Sequence, residues 1–189
     1  DEPAMHPLFD PAQFCGAEAW RYATAAPNLL WAHLIEGNRP GHGPHLLVDA
    51  GHAARRRPDL LTHPRSILQE MAMGRMQGVD THPLVSTAHI LAEAPWAAQS
   101  GLHPTQYFLQ RGAAENINPH PLFSTQYYLM QSPDAVAEGA NPLLHYLQRG
   151  QYEGRLPQPF FDGNDYYQRY LRDTGIDSPL TDYALRGAG

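Results

Sequence analysis

The chain has almost no cysteine. Its single residue, Cys15, excludes an intrachain disulfide and leaves the redox compartment open; it reads as a small buried thiol on a helix. No apolar run approaches the roughly 18 residues of a membrane-spanning helix, and no signal-peptide pattern is visible. Positive charge is scarce: 13 basic against 19 acidic residues leave a net charge of −6. The one basic tract, Arg55-Arg56-Arg57, reads as a solvated face. Duplex nucleic acid calls for a stronger basic footprint, so it is excluded as a partner. HExxH, CxxC and GxSxG are all missing, as is a glycine-rich phosphate loop following a strand. Without a predicted parallel sheet there is no place to hold a nucleotide-sugar donor. The expectation is therefore a non-enzyme with no cofactor and no metal, in the cytoplasm, with a secreted or surface location left open. The first residue is Asp1 and not methionine, which points to a processed chain or a piece of a longer one.

What the sequence does have is repetition. A turn-and-start element reads Pro7-Leu8-Phe9-Asp10, Leu46-Leu47-Val48-Asp49, Pro83-Leu84-Val85-Ser86, Pro121-Leu122-Phe123-Ser124 and Pro159-Phe160-Phe161-Asp162. Its last residue recurs after 39, 37, 38 and 38 positions. A closing glycine recurs at Gly37, Gly74, Gly112, Gly150 and Gly187, with spacings of 37, 38, 38 and 37. Two markers sharing one period define a repeat. The predicted fold is an all-α, right-handed helical-repeat solenoid and a single repeat domain spanning 1–189. Its five units run over about 6–43, 44–80, 81–118, 119–157 and 158–189, with two or three short helices each. The 18 prolines and 16 glycines then fall mostly where helices start and stop, and 42% hydrophobic residues suffice for a packed core. Such a core is a strip, each unit touching mainly its neighbours.

Within units, Asp10, Asp49, Ser86, Ser124 and Asp162 have the chemistry of N-caps. Unit four predicts three helices, at about 125–131, 133–138 and 142–149. Unit two is the most divergent, with Pro58 interrupting its first helix and a second helix starting near Pro64. None is long enough to be stable alone, so packing between units must hold them. Gly112, Gly150 and Gly187 each follow a helix ending in arginine, which predicts a left-handed cap.

The series FD..YY, PD.V...G.NPL.HYL..G..EGR.P resembles tandem repeats found in some bacterial glycosyltransferase polypeptides and related bacterial proteins. Unit four carries it best, from Phe123-Ser124-Thr125-Gln126-Tyr127-Tyr128-Leu129 through Asn141-Pro142-Leu143-Leu144-His145-Tyr146-Leu147 to Glu153-Gly154-Arg155 and Pro157. Units one and two depart furthest. The resemblance implies company with glycosyltransferase domains and transfers no catalytic residue.

Eleven histidines raise the question of metal. His6, His82 and His120 each precede a unit's opening proline. Units about 10 Å apart cannot share one zinc ion, whose ligand bonds are near 2.0–2.1 Å. These histidines are expected to cap the previous helix end or pack on the next unit. Arg111, Arg149 and Arg186 are the candidate binding residues, since each precedes a closing glycine and equivalent positions align along a solenoid. Two roles stay open for them. They complement the helix dipole and pair with an acid such as Glu115, Glu153 or Glu138, or they form an anion-tracking ridge. The functional expectation is a scaffold contacting another protein or another domain of its own polypeptide. The alternative is a module for an acidic polysaccharide or lipid-linked glycan.

Overall fold

The computed structural model describes residue 8 and residues 44–61 and 66–186. Unit one apart from Leu8, the Pro64 helix start, Cys15 and Gly187 lie outside the described residues. Among the described residues the chain is helical and contains no strand. Extended pairing is limited to three isolated bridges, His45 with Val48, His82 with Val85 and His120 with Phe123. Helix α1 is Ala50–Ala53, followed by a 3-10 turn over Pro58–Leu61, then α2 at Ile67–Ala72. Next come α3 (Thr87–Glu93), a 3-10 helix over Pro95–Ser100 and α4 (Pro104–Arg111). Helices α5 (Thr125–Met130), α6 (Pro133–Ala137) and α7 (Pro142–His145) match the three expected in unit four. Helices α8 (Gly163–Tyr166) and α9 (Pro179–Arg186) complete the order. After α7 and α8 the chain widens into π-helical turns, Tyr146–Gly150 and Tyr167–Leu171.

Units two, three and four open on one local device. Four residues form a turn in which the first carbonyl accepts from the fourth N–H: His45 from Val48 at 2.9 Å, His82 from Val85 and His120 from Phe123 at 3.0 Å. In all three the histidine Nδ1 accepts a second bond, from the N–H of Leu47, Leu84 or Leu122, at 3.1 Å. The histidine therefore closes its own turn. This differs from a cap on the previous helix, because a ring two residues upstream reaches that N–H with no other adjustment. His45 belongs to the row although leucine, not proline, follows it.

The next residue caps the first helix. Asp49, Ser86, Ser124 and Asp162 each accept a bond from an N–H of the helix they precede. The caps' own N–H groups reach forward to the carbonyl just before the next opening turn. Asp49 N–H donates to Thr81 O (2.8 Å), Ser86 N–H to Pro119 O (2.8 Å) and Ser124 N–H to Pro157 O (3.0 Å). The same backbone bond thus recurs at three successive junctions. Buried apolar side chains gather in two clusters. One contains Leu8, Val48, Leu60, Ile67 and Met76. The other runs from Leu47 and Leu84 through Phe108 and Tyr128 to Leu180 and Ala184.

The glycine expectation needs correcting. Gly112 has φ −54°, right-handed, and Gly150 lies inside a π-helical turn with no positive φ. The left-handed positions come four residues later: Asn116 at φ +52° and Gly154 at +75°, with Gly78 at +76° in the matching place of unit two. There the chain stops by a wide bond back, Ile117 N–H to Gly112 O and Arg155 N–H to Gly150 O. Gly112 and Gly150 are glycines for another reason, close approach. A Cβ on Gly112 would run into the Phe108 ring, and one on Gly150 into the Tyr128 hydroxyl.

Candidate functional site

The three arginines do not share one environment. Arg149, with 48% of its side chain exposed, donates to Glu138 at 3.1 Å and has Glu153 at 3.8 Å and Asp134 at 3.9 Å. Arg186 donates from Nε to Asp182 at 2.8 Å. Arg111 is exposed and forms no ion pair among the described residues. Carboxylates already neutralise two of the three, which leaves little field for a ridge. The triple alanine variant is expected to melt no more than about 3 °C lower at low salt, since exposed pairs contribute little. At about 0.5 M salt that difference should vanish through screening. Affinity for a polyuronate, if any, should fall as far for Arg111→Ala alone as for the triple variant. A triple variant that loses affinity while Arg111→Ala keeps it would restore the ridge.

Unit four instead assembles its motif residues into a polar chain that runs from the buried Tyr128 and His145 to the partly exposed Asp134 and Arg155. Tyr128, fully buried, shares a 2.7 Å hydrogen bond with His145 Nδ1. His145 Nε2 stands 3.4 Å from Asp134 Oδ2. Arg155 then grips Asp134 with two bonds, at 2.6 and 2.8 Å. That guanidinium holds the Asp134 carboxyl well below the usual range. Burial pushes the Tyr128 phenol up to about 12, so it stays neutral. The sequence reading missed this linkage. Its signal was the register of unit five, where Tyr166 stands for Tyr128 and Asp182 for His145. The hydroxyl of Tyr166 donates to Asp182 at 2.9 Å. The tyrosine hydroxyl is kept and only its partner changes, from His145 to Asp182, which marks a structural contact.

The histidine row borders a cavity of about 250 Å³, lined by His52, Arg55, Asp80, His82 and His120 with Ala184 and Leu185. Units two to five all contribute, so the last helix returns to the opening turn of unit three. His82 is pushed down to about 3 by burial, with His52, His45 and His120 adding to the effect. Burial also lowers His52, His103 and His120. Each turn histidine accepts at Nδ1, so its proton sits on Nε2. Among the described residues no group of three or more His, Cys, Asp or Glu is placed to hold a metal ion.

A second cleft, about 230 Å³, lies between units four and five. Tyr152, Tyr167, Gln151, Asn164 and Asp177 line it, and no cation does. Among the described residues no helix is long and apolar enough to cross a membrane. Compared with known families, with curated proteins and with solved structures, the chain finds no match.

Proposed function

We propose that the chain is a non-catalytic helical-repeat scaffold, a solenoid of five units of about 38 residues, whose surface holds another protein or another domain of its own polypeptide. One observation carries this reading. The cap N–H to carbonyl bond recurs at the junctions Asp49–Thr81, Ser86–Pro119 and Ser124–Pro157, so each unit docks on the next through the same groups. A stack of this kind creates extended surface rather than a single enclosed pocket. The polar chain through Tyr128, His145, Asp134 and Arg155 fits the same role, since Tyr128 is bonded to His145 and Asp134 to Arg155. By the resemblance noted above, such a scaffold would serve bacterial glycan synthesis beside a transferase domain.

A second reading rests on the cleft at Tyr152 and Tyr167. Two tyrosine rings, two side-chain amides and a carboxylate suit a neutral sugar better than an acidic one. Two measurements test the pair. Removing residues 119–156 deletes one whole period and joins Asn118 to Pro157 in register. That variant should still unfold cooperatively, whereas removing half a period, 119–137, should abolish the fold. Loss of folding in both variants overturns the repeat architecture. Calorimetric titration of the whole chain with a neutral glucan and a polyuronate should give no saturable heat for a protein scaffold. Saturable heat with either moves the assignment to the glycan module.

A further inference from the structure

The third residue of the opening turn occurs five times, at Leu8, Leu47, Leu84, Leu122 and Phe160. Leu8, Leu47 and Leu84 are each 0% exposed, Leu122 is half-buried, and Phe160 is 94% exposed. The fourth turn residue shows no such gradient: Val48, Val85, Phe123 and Phe161 are all buried. Exposure thus rises toward the last unit at the third position and not at the fourth. Helix α9 brings Ala184 and Leu185 to a cavity that Pro83 and Val85 also line, two units back.

A second comparison points the same way. Unit four packs Phe123, Tyr128 and Tyr146 with ring centroids 5.4, 5.7 and 5.7 Å apart. Unit five builds the same trio from Phe161, Tyr166 and Tyr183, at 5.7, 5.3 and 5.7 Å. Yet Tyr146 is 1% exposed and Tyr183 is 39% exposed. What stands over the unit-four trio is the start of the next unit, with the Gly163 backbone beside the Tyr146 hydroxyl. The backbone repeats the difference. Asp49, Ser86 and Ser124 donate to the carbonyl just before the next opening turn, and Asp162 N–H has no such acceptor among the described residues.

We infer that the face of unit five formed by Phe160, Tyr166, Tyr183 and the Asp162 N–H is a docking surface for one further helical unit of this same repeat, stacked in line. The occupant's chemistry is set by what units three to five supply internally. It offers a backbone carbonyl just before its opening turn, a helix start that covers the aromatic trio, and a small apolar helix face. The face continues an interface already used three times along the chain. This inference rests on the repeat reading above and is tested separately from it.

Gly187 stands where Gly150 does, so Gly189 corresponds to Tyr152 and a second copy of residues 153–189 added after Gly189 keeps the register. The extended chain should melt about 5 °C or more above the 189-residue chain, and the Asp162 amide should become protected from hydrogen exchange. Phe160→Asp should leave the melt of the 189-residue chain unchanged and remove the whole gain from the extended one. An extended chain with no gain overturns the inference, and so does a gain that survives Phe160→Asp. Sedimentation of the unextended chain gives a further outcome. Self-association abolished by Phe160→Asp would assign the face to a second copy and overturn the in-line unit. If the whole-period deletion folds while the extension fails to dock, only this inference falls.

Discussion

Replacing Gly150 by alanine is expected to lower the melting midpoint by roughly 10 °C. The sign is the informative part. In an exposed right-handed helical turn, alanine is about 0.8–1.0 kcal/mol better than glycine. At Gly150 the new methyl would occupy the space of the Tyr128 hydroxyl. Tyr128 cannot yield easily, since it is fully buried between Phe123 and Tyr146 and bonded to His145. Overpacking a core costs about 1–3 kcal/mol, and losing the partner of a buried polar group costs about 1–3 more. A total near 4 kcal/mol corresponds to about 10 °C in a domain of this size. Gly139→Ala is the control. It has φ +62° and open space around a new Cβ, so it should cost about 1–2 kcal/mol through backbone strain alone. In a Tyr128→Phe background the hydroxyl is gone, and Gly150→Ala should cost clearly less. A Gly150→Ala chain melting at or above the parent would refute the close-approach account.

Acid is expected to unfold the protein earlier than its carboxylates alone would require. His82 titrates near 6.5 when unfolded but at about 3 when folded, because burial disfavours its charged form. The unfolded chain therefore takes up a proton that the folded chain refuses. Stability is full above about pH 6.5 and falls as pH drops toward 3, by about 1.4 kcal/mol per unit for one such histidine. His52, His103 and His120 shift in the same direction, also chiefly by burial, and steepen the slope. Asp134 acts in a different window: held low by Arg155, it adds its loss only as pH falls below about 4. Urea midpoints at pH 7, 5.5 and 4.5 should fall steadily, with a loss of at least about 2 kcal/mol by pH 4.5. His82→Asn, which keeps a side-chain acceptor for the Leu84 N–H, should flatten the slope. A stability independent of pH from 7 to 4.5 would contradict a neutral buried histidine row.

Local chemistry was legible along the chain wherever one residue and its near neighbours decide the outcome. Ser86, Ser124 and Asp162 cap helices because a short polar side chain reaches an N–H two or three residues on, and no distant partner is needed. In unit four Asn141 caps its helix in the same way, whereas Ser132 makes no side-chain cap bond and that helix starts on the preset φ of Pro133. Gly112 and Gly150 were misread because two physical demands select glycine, a positive φ and a missing side chain. A sequence shows the glycine without showing which demand applies, and Asn116 and Gly154 took the left-handed place.

By itself, then, the sequence determined the period, the all-helical character and the opening turns, since these arise from spacing and from bonds within a few residues. Glu138 and Glu153 were already candidate partners for the arginines, and Asp182 lies one helical turn before Arg186; the tertiary structure decided which of these pairs form. It alone joined Tyr128 to His145 and Asp134 to Arg155, and it brought α9 back to the histidine row. These last contacts join residues from separate segments of the chain, and they are set by the summed packing of many side chains rather than by any motif.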